Sequence, residues 1–107
     1  MQTSNFARSS KDPNAVAISQ GVTRWYKGRR YMPLAPSREL LKIVDEQIYR
    51  QLYYEQVLSK LDAQQVYADL GPDAILLCWE SPGKFCHRRI AAEWMEKALA
   101  IEIDEKL

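Results

Sequence analysis

The chain has 107 residues, of which 47% are hydrophobic and 27% charged. This balance is typical of an ordinary globular protein, and the length excludes a multidomain enzyme, so we expect residues 1–107 to form a single domain. The longest apolar run, residues 74–79, is far shorter than the roughly 20 residues of a membrane span, and no apolar signal-peptide segment follows Arg8 and Lys11. Two cysteines are too few for a disulfide scaffold. We therefore predict a cytoplasmic protein with reduced thiols and no membrane partner.

The net charge of +1 hides an uneven distribution. Residues 1–42 carry eight Lys and Arg against two acidic residues, a balance of +6, whereas residues 43–107 carry seven against twelve, a balance of −5. The near-neutral total argues against a strongly cationic nucleic-acid-binding protein. Neutralisation of one half by the other across the fold is the simplest explanation.

The N-terminal third predicts two short strands and a loop. Residues 1–3 form a candidate first strand, and a turn cluster at 11–14 leads into a second strand over 15–18. Residues 22–36 contain three aromatic residues, two prolines and no helical period, so we predict a long surface loop with at most a fragment of strand. Long loops in small domains are frequently functional.

The middle of the chain predicts helices. Ser37 is a candidate N-cap for a helix over residues 38–61, which is long enough for us to expect a bend near residues 45–48. Asp62 can cap a second, short helix that ends at Gly71, where Pro72 follows.

The C-terminal third completes the predicted fold. Residues 74–79 predict a strand that is apolar on both faces, as a central parallel strand is, and the apolar stripe that follows Cys86 predicts a helix. Strands mixed with helices in this way favour a small three-layer Rossmann-like α/β fold with a short parallel sheet. Ligands of such sheets bind beyond the carboxyl ends of the strands. The polar residues that follow the predicted strands are Thr3, Ser4, Asn5, Ser19, Gln20 and residues 80–89.

Residues 76–89 place a thiol, the only histidine and two arginines at the start of a helix entered from a strand. The first turn of a helix behaves like roughly half a positive charge, so Arg88 and Arg89 there oppose the helix dipole. A bound anion would offset this cost, and we predict that both arginines hold a phosphate or carboxylate. The residues predicted to hydrogen-bond this ligand are Thr3, Ser4 and Ser19.

A second hypothesis makes Cys86 a catalytic nucleophile, with His87 or Glu80 transferring protons. A helix start and nearby cations lower the pKa of a thiol below its usual value of about 8.5. However, Cys86 and His87 are neighbours on one helix and point in different directions, which works against a catalytic dyad. Simpler explanations are a packed thiol, a histidine bonded to a carbonyl, and arginines paired with Glu80 or Glu93.

A metal site would recruit Cys78, Cys86, His87 and Glu80. No short Cys-x-x-Cys pair is present, and Cys78 would have to reach out of a strand, where a buried thiol is the simpler expectation. We therefore predict no metal and no cofactor.

Residues 24–31 interleave four cations with three aromatic rings. Cations bind phosphates and rings stack on bases, so Arg24, Trp25, Arg29 and Arg30 are predicted to extend a nucleotide or nucleic-acid contact. Packing of the rings on the sheet, with the cations paired to the acidic half, is an equal alternative, since no nucleic-acid-binding motif accompanies the stretch. A module that binds a protein partner through this loop, and a homodimer formed through exposed aromatic side chains, are further hypotheses.

Residues 76–94, LLCWESPGKFCHRRIAAEW, resemble the C-terminal signature of the family called domain of unknown function 488, in which a strand ends in Leu-Cys and Cys-His-Arg opens a helix after a Pro. Residues 3–7, 17–19 and 34–36, with Trp25, are similar to its phage-like and bacterial members. The resemblance spans nearly the whole chain and implies a Rossmann-like α/β fold with no established reaction.

The leading hypothesis is that the protein binds a nucleotide, a modified base or a nucleic-acid phosphate at the turn 80–89. A cysteine-dependent enzyme that uses Cys86 and a small phage-type or regulatory interaction module are the alternatives.

Overall fold

The protein, described here by a computed structural model, is built on a five-stranded sheet. The structure describes residues 1–22, 24–79 and 86–106. The strands are β1 (Gln2–Asn5), β2 (Ala15–Ala17), β3 (Arg29–Arg30), β4 (Ile75–Cys78) and β5 (Asp104–Glu105). The α-helices are α1 (Phe6–Ser9), α2 (Glu46–Gln56), α3 (Ala63–Leu70) and α4 (His87–Leu99), and 3-10 turns cover Met32–Leu34, Leu40–Lys42 and Leu58–Lys60.

All pairings in the sheet are parallel, and the strand order is β3-β2-β4-β1-β5. Strand β4 lies at the centre, with Cys78 opposite Asn5 of β1 and Leu77 opposite Ala17 of β2. Every residue of β4 is buried, as its continuous apolar run predicts for a strand covered on both faces. The predicted class, a small three-layer α/β fold with a parallel sheet, is confirmed.

The two faces of the sheet carry different cores because successive strand side chains point to opposite sides. Val16 and Leu76 pack in the larger core with residues of α2, α3 and α4, among them Tyr53 and Met95. The opposite face is covered by a smaller cluster that contains Phe6, Ala17, Tyr26 and Leu77. The three long helices thus lie on one side of the sheet. No described helix is long and apolar enough to cross a membrane.

The predicted helix over residues 38–61 is wrong in its first part. Helix α2 begins only at Glu46, because the Asp45 carboxylate accepts a hydrogen bond from the backbone N–H of Ile48 at 3.0 Å and so fixes the helix start. The Ser37 hydroxyl accepts from Leu40 N at 3.2 Å, but the chain that follows enters the short 3-10 segment Leu40–Lys42 and not an α-helix. The segment between Ser37 and Asp45 forms one wall of the site.

Helix α3 forms as predicted. The Asp62 side chain accepts from Gln64 N at 3.1 Å, and Gly71 ends the helix with a φ of +89°. The Asp62 cap and the Gly71 stop are both local in sequence, which explains why they were sufficient to predict this helix.

Two elements were not predicted, the single-turn helix α1 and the edge strand β5. Asn5 ends β1 and caps α1 by accepting from Arg8 N at 2.9 Å. After α4, Ala100 adopts a left-handed conformation with φ 54°, and β5 then pairs with β1, which places Glu105 opposite Thr3. This edge strand brings a carboxylate towards the start of α4.

Candidate functional site

Cys78 and Cys86 meet at the carboxyl edge of the sheet. Cys78 is the last residue of β4, and Cys86 is the N-cap residue of α4. Their Cα atoms lie 7.4 Å apart and the structure pairs their sulfur atoms as a disulfide, whereas the sequence analysis predicted reduced thiols. The reason is geometric, since the strand end and the helix start converge on the same crevice.

The His87 imidazole lies beside this disulfide. Its Nε2 is 2.6 Å from the carbonyl oxygen of Ile18, and its Nδ1 is 3.6 Å from Cys86 Sγ. A carbonyl can only accept, so Nε2 donates the hydrogen and Nδ1 presents a lone pair to the sulfur. Burial lowers the pKa of His87 to about 4, and the Arg88 charge adds to this effect, although the bond to Ile18 opposes it.

The neutral imidazole is a poor proton acceptor for a thiol. Transfer of a proton from an ordinary thiol of pKa about 8.5 to an imidazole of pKa about 4 would cost about 6 kcal/mol. A thiolate–imidazolium pair between Cys86 and His87 is therefore disfavoured. Glu80, the other residue predicted to transfer protons, lies outside the described residues.

Arg88 is buried, with 1% of its surface exposed, and binds Glu105 in a bidentate ion pair. Its Nε and Nη2 donate to the two carboxylate oxygens at 3.1 and 2.8 Å, while Nη1 donates to Cys78 Sγ at 3.0 Å. Partial burial raises the pKa of Glu105, but the hydrogen bonds from Arg88 and Thr3 outweigh it and leave that pKa below its ordinary value. The guanidinium thus joins a fixed carboxylate to one sulfur of the disulfide.

Arg89 also binds groups of the protein itself. Its Nη1 donates to Thr3 Oγ1 at 2.9 Å and to the carbonyl of Ile103 at 2.8 Å. The sequence argument required an anion to balance Arg88 and Arg89, and the fold provides that anion internally as Glu105. Both arginines are therefore bound to groups of the protein itself, and an external anion at them stays a prediction.

A cavity of about 380 Å³ opens above the cysteine pair. Cys78, Cys86 and His87 line it, together with the polar segment 19–21. Its apolar wall consists of Pro36, Leu41, Ile43, Val44, Tyr49 and Trp79. Among the residues that the structure describes, no charged side chain lines this cavity.

The rim of the cavity is unusually apolar for a surface. Leu41 is 55% exposed, Val44 88% and Trp79 52%. Trp79 is held in place, because its indole N–H donates to Gly21 O at 3.1 Å and its ring lies 4.7 Å from the Phe6 ring, measured between centroids. Exposed apolar side chains grouped around a cavity are a feature of binding sites.

The three hydroxyl residues predicted to bind a ligand lie in different surroundings. Thr3 is buried and donates to the Glu105 carboxylate, and Ser4 is buried and shares a hydrogen bond with Ser9 at 2.8 Å. Ser19 donates to Gly21 O at 2.7 Å and, of the three, is the one that lines the cavity.

The basic stretch 24–31 is partly structural. Arg29 donates to the carbonyls of Asp69 and Leu70 at 2.9 and 3.0 Å and so caps the end of α3, while Arg30 donates to Gln20 O. Arg24 and Trp25 lie on the surface, and Trp25 is 64% exposed. Of the four predicted contact residues, Arg29 and Arg30 therefore hold the loop against the rest of the protein through hydrogen bonds, whereas Arg24 and Trp25 face solvent.

Comparisons with protein-family models, with curated proteins and with solved structures find no match. The resemblance to the domain of unknown function 488 family stays a prediction.

Sequence reasoning considered Cys78 and set it aside as a buried thiol, and it missed Glu105 and the apolar wall as parts of the site. A signal existed for Cys78, which ends a predicted strand eight residues before Cys86 and so belongs to the same crevice. No local signal marked Glu105, because β5 spans two residues. The wall residues Leu41, Ile43 and Val44 were assigned to a regular helix, whereas they lie in and after the 3-10 segment Leu40–Lys42, before α2 begins.

Proposed function

We propose that this protein is a thiol–disulfide oxidoreductase in which Cys78 and Cys86 cycle between disulfide and dithiol. The observation that carries the proposal is a bonded cysteine pair at the base of an open, apolar cavity. This develops the cysteine-dependent alternative of the sequence analysis, with Cys86 as the sulfur that exchanges with substrate.

Exchange proceeds through a mixed disulfide. A substrate thiolate attacks Cys86 Sγ, because Cys86 is the more exposed of the two residues, at 6% against 1% for Cys78. The S–S bond breaks, and its electron pair leaves with Cys78 as a thiolate. A second substrate thiolate attacks the substrate sulfur of the mixed disulfide and releases Cys86. Two substrate thiols are thereby oxidised to one disulfide, the protein gains two electrons, and the two protons lost by the substrate thiols end on Cys78 and Cys86.

Arg88 favours Cys78 as the leaving sulfur. Its Nη1 lies 3.0 Å from Cys78 Sγ in a buried position, and a hydrogen bond from a charged donor strengthens when the acceptor becomes ionised. A stabilised thiolate has a lower pKa, and a leaving thiol of lower pKa departs faster. Glu105 holds the guanidinium in this orientation through two hydrogen bonds. No electron or proton transfer in this scheme passes through His87.

The cavity favours an apolar substrate. Its wall and rim are apolar, and no cation among the described lining residues would pair with a carboxylate. A neutral aromatic or aliphatic thiol therefore fits better than a small thiol with two carboxylates, such as glutathione. The same steps run in reverse when the dithiol form reduces a substrate disulfide, and in the cytoplasm, where we place the protein, thiol reductants would then return the resulting protein disulfide to the dithiol.

Trapping of the mixed disulfide tests the proposal. C78S retains the attacking sulfur, so it should form a stable adduct with the neutral aromatic compound dithiodipyridine and release one equivalent of thiopyridone. C86S retains only the buried sulfur and should react at least about tenfold more slowly. Intact-mass measurement identifies the adduct, and circular dichroism checks that both variants fold.

Substrate preference is measured on C78S with dithiodipyridine and the doubly anionic dithiobis(nitrobenzoic acid). Each rate is normalised to that of a small free thiol. The neutral probe should be favoured by about tenfold or more. Equal trapping by C78S and C86S, or a wild-type disulfide that neither apolar thiols nor dithiothreitol reduce in the folded protein, would refute the redox role.

Binding of a nucleotide or nucleic acid stays a prediction, which the exposed side chains of Arg24 and Trp25 support. A protein partner and a homodimer likewise remain predictions.

A further inference from the structure

We infer that the reduced protein binds one divalent metal ion of borderline softness, with Zn²⁺ the best fit, through Cys78, Cys86 and His87. The ligand atoms of these three buried residues all lie within 4.8 Å of one another. The inference uses the same cysteines as the proposed redox function, but it depends on their dithiol state and on His87, which the redox scheme does not need. It revises the sequence-based expectation of no metal, because Cys78 ends its strand and its sulfur reaches the crevice.

The spacing of two donors already matches a tetrahedral site. Zn–S bonds of about 2.3 Å and Zn–N bonds of about 2.0–2.1 Å place sulfur and nitrogen about 3.6 Å apart at the tetrahedral angle. Cys86 Sγ and His87 Nδ1 are 3.6 Å apart. Two zinc-bound sulfurs lie about 3.8 Å apart by the same calculation, so opening of the S–S bond lets Cys78 occupy the third position.

The histidine is oriented as a metal ligand requires. A metal-binding imidazole commonly donates its second ring N–H to a carbonyl or carboxylate, which fixes the tautomer and aims the other nitrogen at the ion. In this protein Nε2 donates to Ile18 O at 2.6 Å, and Nδ1 faces Cys86 Sγ.

The charge of the cluster also suits a divalent cation. Two thiolates and a neutral imidazole balance a charge of +2, and Arg88 donates a hydrogen bond to the Cys78 sulfur while Glu105 neutralises its guanidinium. Hydrogen bonds of this kind, from a neighbouring residue to a metal-binding sulfur, help to hold the direct metal ligands in place. Three protein ligands leave a fourth position, which opens on the apolar cavity lined by the same three residues. The site would then hold a metal with an exchangeable ligand.

Cobalt(II) is the probe that tests this inference. Wild-type protein reduced with a phosphine should bind one equivalent of Co²⁺ and develop both a sulfur-to-cobalt charge-transfer band and the intense visible bands of tetrahedral coordination. One equivalent of Zn²⁺ should remove both. Protein kept in the disulfide form should show neither band.

The H87Q variant separates the metal site from the redox function. Loss of a hydrogen bond that supports a metal ligand weakens metal binding by up to about 100-fold. Loss of His87, a direct ligand, should therefore weaken Co²⁺ binding by more than about 100-fold. Its reduced cysteine pair should still react with dithiodipyridine, releasing two equivalents of thiopyridone as the Cys78–Cys86 disulfide forms again. S59A, at an exposed serine in a 3-10 turn, is the matched control and should bind like wild type. If H87Q does not fold, C78A tests the ligand set instead, because the charge-transfer band per cobalt should fall by half, and redox exchange is then measured on wild type without metal.

Octahedral, weakly absorbing Co²⁺, or wild-type affinity in H87Q, would overturn the metal site. Redox cycling without metal binding refutes the metal inference alone. Metal binding without redox exchange refutes the redox proposal alone.

Discussion

Replacement of Glu105 by Gln should cost about 3 kcal/mol of the free energy of unfolding. The change removes the negative charge that pairs with Arg88, whose side chain is 1% exposed while that of Glu105 is 17% exposed. Removal of one partner of a buried ion pair costs about 3–5 kcal/mol, because the other charge stays buried without compensation. We choose the lower end because the Gln amide oxygen can still accept one of the two hydrogen bonds from Arg88 and keep the contact with Thr3.

Urea denaturation followed by far-ultraviolet circular dichroism measures this loss. With an m-value of about 1–3 kcal/mol per molar, the midpoint should fall by roughly 1–3 M. E102Q is the matched control, since Glu102 is an exposed acidic residue in the same segment, and its stability should change by less than about 0.5 kcal/mol. Replacement of both partners, as in R88M/E105L, should recover most of the loss. A loss below about 1 kcal/mol in E105Q would refute the argument that the pair balances a buried charge.

Three further changes test other features of the fold. The pKa of Glu105 is depressed from 4.5, so the stabilising contribution of its carboxylate is present above that pH and is lost as the pH falls below it. Wild type should therefore lose more of its free energy of unfolding than E105Q between pH 5 and pH 3. Urea titrations in which both proteins lose the same free energy of unfolding over this range would contradict this. Y53F should cost about 1–3 kcal/mol, because the Tyr53 hydroxyl donates to the buried Leu34 carbonyl at 2.7 Å; an unchanged urea midpoint would show that this bond contributes nothing. G71A should lower the free energy of unfolding by about 1 kcal/mol or more, because Gly71 has a φ of +89°. G21A should leave it nearly unchanged, because an added Cβ at Gly21 meets nothing within 4 Å. Equal melting temperatures for the two variants would be the contrary result.

The parts of the fold that the sequence predicted correctly have strong local signals. Strand β4 is a continuous apolar run, and α3 lies between an Asp cap and a Gly stop. The start of α2 was misplaced because apolar spacing around residues 40–44 continues the helical period, while the Asp45 cap sets the true boundary. A period of apolar residues does not by itself distinguish a long helix from a 3-10 turn followed by a capped helix.

The strand-end rule anticipated where part of the cavity lies. It selected Cys86 and His87, and both line the cavity, because parallel strands end at one edge of the sheet. The role given to Arg88 and Arg89 depended on their opposition to the helix dipole, and the anion that balances Arg88 in the structure is Glu105, 17 residues after it. A contact across an edge strand of two residues has no periodic signature, so only the folded chain reveals it.

Trp79 has a practical consequence that follows from its position. The indole lines the cavity next to Cys78, half-exposed and fixed by its bond to Gly21 O. The wavelength of its fluorescence emission should shift when a ligand displaces water from the cavity. The neighbouring sulfur should quench the emission to a different degree in the disulfide and dithiol forms. With Trp25 and Trp94 replaced by Phe, the molecule would carry a single optical reporter of occupancy, readable in real time and without any attached dye.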